Sequence, residues 1–379
     1  MGAFNGQLRT NEIFSALYNM IISQEVFADN LGEHQTLVDK ARVDGGLFGD
    51  TKLYYATDVL KSAPWGNDAE ATNLLALHRP PAPACQAISL DIFRQICLTV
   101  DNYLTKRAWS DEAAFSSFNS VMLGWMKETK RVYDGTLYNV FIGTTKSAKA
   151  AQNIELDLAA ARAIASTQEE ANRLEVECLA QGIADLLVAM GDYSRDFNDY
   201  EMLRSYAKDG IKFVWNSKYV NKVRKIDLPT IFHKEGLVDK FEEEILPSRY
   251  FGRAISASDI GEGKVIGADG AYDPTKGTLR VNKELEYNDK HYFPGDALAE
   301  TGTYVAVVGG LEAGDVYLED DKVIAKVLVK LPPYMSAFEV GTSFFNPKSL
   351  TENHYLTFGH NTLEYLKNYP FITIVEKSA

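Results

Sequence analysis

Cysteine is nearly missing from this chain of 379 residues, which holds only Cys85, Cys97 and Cys178. An odd count does not close a disulfide framework, and the spacings match neither a zinc site nor a redox pair. The three read as small buried hydrophobes in a reducing compartment. Positive charge is also scarce: 39 Lys and Arg face 52 Asp and Glu, a formal net charge of -13. That balance argues against a dedicated nucleic-acid binder, because phosphate affinity comes from clustered basic side chains that release counterions. The acidic excess reads as solubility and mutual repulsion between copies. No stretch approaches the roughly 20 apolar residues that span a bilayer. Met1-Gly2-Ala3-Phe4-Asn5-Gly6 lacks the basic and apolar regions of a signal peptide, and Gly6 stands where a myristoylation motif requires Ser or Thr. The expectation is a protein that stays in the cytoplasm, away from membranes. Internal repeats and low-complexity tracts are lacking as well.

Catalytic signatures fail one by one. Gly263-Lys264 belongs to a phosphate-binding loop only with glycine at position 258 and Ser or Thr at 265, whereas the chain has Ser258 and Val265. Gly309, Gly310 and Gly314 do not space as a dinucleotide fingerprint, and Asp315 and Glu319 follow them. His34, His78, His233, His291, His354 and His360 are scattered. Only the last two are close, and six residues of strand would hold them about 20 Å apart, too far to share a metal. Asp315, Glu319, Asp320 and Asp321 lack calcium-loop spacing and read as carboxylates that keep a β-turn soluble. No serine elbow occurs, and no histidine partner for a cysteine nucleophile is identifiable. No catalytic, cofactor-binding or metal-ligating residue is assigned, and no cofactor is implied.

With 46% hydrophobic and 24% charged residues, the chain is long enough for a sizeable core and two or three subdomains. Its most informative feature is an alternating stretch at 86–104. Ile88, Leu90, Ile92, Ile96, Leu98 and Val100 fall on every second position, with Ser89, Asp91, Gln95, Thr99 and Asp101 on the other face. This predicts one long strand reaching roughly 60 Å, more than one protomer covers. Residues 11–31 have helical spacing and predict an N-terminal helix or arm. Gly45, Gly46 and Gly49 precede the strand-like Leu53-Tyr54-Tyr55-Ala56-Thr57, and Arg79-Pro80-Pro81-Ala82-Pro83 leads back to Gln86. Residues 43–85 thus read as an extended hairpin-like loop, a docking arm.

A helix is predicted over 110–134, with Ser110 as N-cap and Phe115, Phe118, Met122, Trp125, Thr129 and Val132 as its packing stripe. Asp134-Gly135 is expected to end or kink it, 136–145 to form strand and turn, and 146–164 an Ala-rich helix. Thr167-x-x-Glu170 is a capping box opening a helix that stops at Gly191. Strands follow at 212–215 and 219–223, then a short helix near 228–234. The acidic run Glu242-Glu243-Glu244 reads as a solvated helix face. From 255 to 330 the composition turns β-like, with strands at 304–308 and 323–329. The chain closes with the apolar strand 371–375.

The run Leu37-Val38-Asp39-Lys40-Ala41-Arg42-Val43-Asp44-Gly45-Gly46, its continuation Gly49-Asp50-Thr51-Lys52-Leu53-Tyr54-Tyr55, and the order arm, glycine-flanked loop, long strand, long helix resemble major capsid proteins of tailed bacteriophages, particularly small short-tailed phages. The resemblance implies an α+β fold of the type named after phage Hong Kong ninety-seven. On that pattern, residues 1–42 are an N-terminal arm and 43–85 the extended loop over a neighbour. Residues 86–165 are the peripheral domain with its spine helix, 166–334 the axial domain with a β-rich insertion at 255–330, and 335–379 the return to the peripheral domain. The implied function is self-assembly into hexamers and pentamers of an icosahedral shell, in a virion assembled in the host cytoplasm. The implied partners are copies of the chain, then scaffolding, portal, and head-fibre or decoration proteins, with packaged DNA touched only non-specifically. Some members weld subunits through a Lys–Asn bond; Lys52 and Lys61 lie in the loop, but no matching partner is assigned and that chemistry is not carried over. Two alternatives stay open: a cytoplasmic α+β enzyme with no recognisable motif, and another phage structural part such as a tail-tube or decoration protein.

Overall fold

The computed structural model describes residues 37–45, 51–62, 77, 79–101, 112–224, 242–255, 278–287, 289–298, 314–320 and 322–377. In chain order the elements begin with α1 (Leu37–Ala41), β1 (Arg42–Asp44), β2 (Lys52–Ala56), β3 (Ala84–Ile88), β4 (Leu90–Asp101), α2 (Glu112–Thr144) and β5 (Asn153–Leu156). Next come α3 (Leu158–Ala163), α4 (Gln168–Gly191), β6 (Lys212–Asn216), α5 (Ser217–Arg224), β7 (Glu242–Leu246), β8 (Gly252–Ala254) and β9 (Leu279–Val281). The last are β10 (Leu285–Tyr287), β11 (Lys290–Tyr292), β12 (Val316–Glu319), β13 (Val323–Leu328), β14 (Tyr334–Asn346), β15 (Thr351–Asn361) and β16 (Phe371–Glu376). The predicted helices at 11–31 and 228–234, the strand at 304–308 and the Ser110 cap lie outside the described residues.

Two compact units divide the chain. The first comprises residues 1–50, 90–135 and 335–361. Its sheet runs β1-β14-β15-β4, with β15 antiparallel to both β14 and β4. Along β4 the even-numbered residues are at least half-buried and the odd-numbered ones exposed, apart from the last, as the sequence alternation requires. The expected single strand over 86–104 is nevertheless two. It breaks at Ser89, so that β3 pairs with β2 while β4 pairs with β15, and residues 102–104 lie outside the described set. Alternation reports which face is covered and is silent about where a strand changes partner.

Helix α2 contributes Met126, Lys130, Tyr133 and Asp134 as its buried side in this unit. The predicted stripe is one position off. Trp125 is 37% exposed, Thr129 and Val132 are half-buried, and the side chains of Phe115, Phe118 and Met122 lie outside the described set. The physical reason is a buried ion pair that looks like surface in the sequence. Lys130 Nζ lies 3.1 Å from Asp134 one turn on and 5.4 Å from the Phe358 ring centre, so its stem packs as a hydrophobe. Arg42 reaches the same Asp134 carboxylate at 3.4 Å.

The second unit comprises residues 51–89, 136–334 and 362–379. Its main sheet runs β5-β16-β13-β6-β7; the outer pairs β5–β16 and β6–β7 are parallel, and the inner ones antiparallel. Ile324, Ala325 and Val327 of β13, Ile372 and Ile374 of β16, and Phe213 and Trp215 of β6 share a core with Val176, Leu179, Leu186, Leu187 and Met190 of α4. The capping box is made: Thr167 accepts from the Glu170 amide at 3.2 Å, and the Glu170 carboxylate accepts from Ser166 N at 2.9 Å.

Four local expectations are corrected in this unit. Helix α2 does not stop at Gly135 but continues to Thr144, taking the place of the predicted strand and turn. Tyr138, Val140 and Ile142 are fully buried there, and their burial outweighs the roughly 1 kcal/mol a mid-helix glycine costs. The predicted helix over 146–164 gives way to β5, parallel to β16, before Asp157 caps the short α3 by accepting from Ala160 N at 2.9 Å. Residues 219–223 are helical within α5, because the preceding Asn216 Oδ1 accepts from Lys218 N at 3.1 Å and turns the chain. The acidic run is the strand β7, parallel to β6, with Glu242 paired to Lys212. A smaller antiparallel sheet, β8-β12-β9, encloses Leu279, Val281 and Val316. The predicted strand at 371–375 is β16.

Candidate assembly surfaces

The excursion at 43–85 leaves along β2 and returns along β3, and the two form an antiparallel hairpin from Lys52↔Ile88 to Ala56↔Ala84. Side chains on a two-stranded ribbon divide strictly by parity. Ala56, Gln86 and Ile88 are buried, whereas Leu53 is 50% and Tyr55 65% exposed, opposite the exposed Ala87 and Cys85. The outward face is therefore a ladder of apolar and aromatic side chains. Val59, Leu60 and Leu77 continue the exposed apolar character beyond β2.

The cysteine expectation is overturned by the same parity. Cys85 and Cys97 are exposed and Cys178 half-buried. Both exposed thiols occupy odd, outward positions of β3 and β4, a matter of register that composition does not carry. Burial raises the Cys178 thiol, and Asp157 adds to the shift.

In the first unit a second exposed apolar group stands at the β14–β15 turn. Phe344 is 61%, Phe345 48% and Leu350 43% exposed, and Leu350 holds a positive φ of 55°. Sequence reading missed this group, although Phe344-Phe345 directly before Asn346-Pro347 was a visible hairpin signal. Elsewhere the outer face of this sheet is tied by polar ladders: Gln95 donates to Thr357 at 2.9 Å and Thr99 to Asn353 at 2.7 Å.

Chemistry-bearing residues sit in structural roles. Glu319 pairs with Arg280 at 2.8 Å, Asp315 with Lys283 at 2.8 Å, and Asp320 accepts from Lys322 N at 2.9 Å. The first two bind strands of the small sheet together, where a solvated turn was expected; Asp321 is outside the described residues. His291 lies 2.6 Å from Glu284. His354 and His360 both lie on β15, and His360 is buried against Tyr133. His34, His78 and His233 are outside the described set. Among the described residues no three His, Cys, Asp or Glu side chains gather as a metal would require, and no helix is long and apolar enough to cross a membrane.

No family model matches the sequence, and neither does any curated protein. Solved structures do match. A chain from the capsid structure of Staphylococcus phage Andhra is 10% identical and superposes with a TM-score of 0.56 over 90% of this chain and 84% of that one. A chain from the structure of head fiber and inner core protein gp22 of native bacteriophage P68 is 12% identical, with a TM-score of 0.55 over 89% and 84%. The protein has the fold of a chain from a phage capsid. At such low identity the shared property is the backbone path, and this capsid fold alone assigns no residue a role. In this chain exposed apolar groups stand on one face of the β2–β3 hairpin and at the β14–β15 turn.

Proposed function

We propose that the chain is a non-enzymatic major capsid subunit that assembles with its own copies into hexamers and pentamers of an icosahedral virion shell around double-stranded DNA. The observation that carries this reading is the capsid fold over nine-tenths of the chain, joined to a hairpin whose outward face exposes Leu53 and Tyr55. Such a face is unfavourable in water and is stabilised against a neighbour, by about 25 cal/mol per Å² of apolar area covered. Modest contacts suffice because each subunit repeats them around a closed ring.

In this reading residues 1–42 are the arm and 43–85 the loop that docks on the adjacent copy. The peripheral domain comprises 86–165 and 335–379, and 166–334 is the axial domain that meets its copies at the symmetry axes, with 255–330 as an insertion. The acidic balance suits an inner wall that does not hold phosphates. Scaffolding, portal and head-fibre or decoration proteins are the further partners.

Negative-stain microscopy of the purified chain tests the proposal, closed shells being the expected result. Deleting residues 48–82, or replacing Leu53 and Tyr55 together by Glu, should leave a folded protein without shells. Full-size particles from these variants would refute the docking role. A wild-type chain eluting near 42 kDa in all salt conditions, without rings or shells, would overturn the capsid reading.

A further inference from the structure

The inward side of the hairpin meets one irregular loop, residues 192–204, which is tied by several internal hydrogen bonds. Ser194 and Arg204 close its ends by two backbone hydrogen bonds, at 2.9 and 3.0 Å. Inside, the fully buried Asn198 accepts from Met202 N at 2.8 Å and donates to Met202 O at 2.7 Å. Asp199 is fixed by Ser147 at 3.0 Å, Gln152 at 2.9 Å and the Tyr365 hydroxyl. Glu201 is held at a φ of 54°, a backbone state that surrounding bonds must impose on a non-glycine residue.

This loop presents two arginines and one amide to the strand end just past β2. Arg195 Nη1 donates to Asp58 Oδ2 at 2.7 Å, Leu203 N donates to Asp58 Oδ1 at 3.0 Å, and Arg204 Nη2 donates to the Thr57 carbonyl at 2.6 Å. The Arg195 bond, with those from the Leu203 and Val59 amides, holds the Asp58 carboxyl well below the usual carboxylate range, at about 2. The second strand is held separately. Gln86, 7% exposed, donates to Tyr365 O at 3.1 Å and accepts from Lys367 N at 3.0 Å. Between them Lys330 Nζ lies 5.6 Å from the Tyr54 ring centre and 5.5 Å from that of Tyr369.

We propose that loop 192–204 is a clasp that fixes the hairpin root at one angle through Asp58, and that opening it frees the hairpin as a unit without unfolding the five-stranded sheet. The attachment is polar where the core is apolar. Its key pair is half-exposed, so solvent and salt weaken it selectively. The core around β13 has no such sensitivity, since its contacts are dispersion and dry hydrogen bonds. This inference concerns one chain and holds whether or not copies assemble.

Hydrogen–deuterium exchange on the full chain tests it. In Asp58→Asn and in Arg195→Ala, residues 52–58 and 84–88 should exchange about fivefold faster at low salt, the scale of losing one charge-assisted contact. Residues 212–216 and 323–328 should be unchanged. In the wild type, 1 M salt should accelerate the same two strands and leave 323–328 unchanged, and Asp58→Arg combined with Arg195→Asp should recover part of the protection. Unchanged hairpin exchange in both variants, or an equal rise in the five-stranded sheet, would overturn the clasp.

Discussion

The hydroxyl of Tyr133 donates to Nε2 of His360 across 2.9 Å, in a site where both rings are buried. His360 Nδ1 faces the Asn361 carbonyl oxygen at 2.9 Å, and a carbonyl only accepts. Nδ1 therefore carries the proton, and Nε2 is left as the acceptor for Tyr133. Burial disfavours the charged ring and so favours this neutral tautomer. Arg94 lies over the other ring, 4.9 Å from the Tyr133 centre, and opposes any added positive charge.

A pH dependence follows from that tautomer. Burial lowers the His360 pKa below its ordinary 6.5, against smaller opposing contributions from the Asn361 carbonyl, Asp134 and Asp91. Above pH 6.5 the ring is neutral in both folded and unfolded chain, and stability is complete. As pH falls through 6.5 the unfolded chain takes up a proton that the folded one resists, so stability drops. We expect urea unfolding to show a loss of about 1 kcal/mol between pH 7.5 and 5.5 that His360→Gln removes. An equal loss in the variant would place the sensitivity elsewhere.

At the alkaline end Lys326 gives the same sign by another route. It is fully buried, and its amine finds two acceptors, Thr145 O at 2.6 Å and Thr373 Oγ1 at 2.9 Å, as many as a neutral amine has protons to give. Burial, with Lys146 adding to it, pushes its pKa well below 10.5. Between that lowered value and 10.5 the unfolded chain binds the extra proton, so stability rises with pH. Within that window the expected gain is on the order of 1 kcal/mol per pH unit, and Lys326→Met should flatten the slope. Melting midpoints at three pH values decide it.

Close backbone approach makes Gly143 a strict position in the last turn of α2. A Cβ there would stand 2.7 Å from the Tyr250 carbonyl carbon and closer still to its oxygen. Neither atom yields without moving the backbone. Gly143→Ala should cost about 3 kcal/mol or leave the protein insoluble, while Gly124→Ala, with open space around its Cβ, should be neutral or slightly stabilising. Denaturant midpoints of the two variants test this, and a tolerated Gly143→Ala would contradict the packing.

Several elements were legible because their cause is local. The Thr167–Glu170 capping box, the stop at Gly191, the outgoing and returning strands of the hairpin, and the apolar strand at 371–375 each rest on side chains within a few residues. The capsid fold was legible only through resemblance, from element order and the run at 37–55. The misread segments share a feature: their state depends on a distant partner. Residues 136–144 are helical because Tyr138 and Ile142 find a buried place, with the Tyr138 hydroxyl donating to Pro332 O at 2.8 Å. Residues 242–244 are a strand because β6 offers a free edge. The buried side of α2 was misjudged because Lys130 and Asp134 neutralise one another there.

By itself, then, the sequence determined the acidic character, the alternating faces of the ribbon, the Thr167–Glu170 capping box and the lack of any recognised catalytic motif, since charge, parity and capping are properties of neighbouring residues. Only the tertiary structure decided which thiols face outward, where the ribbon changes partner at Ser89, that Asp58 is gripped by Arg195, and that the Tyr133 hydroxyl meets the His360 ring. Those outcomes depend on groups brought together over tens to hundreds of residues, and no local preference encodes such meetings.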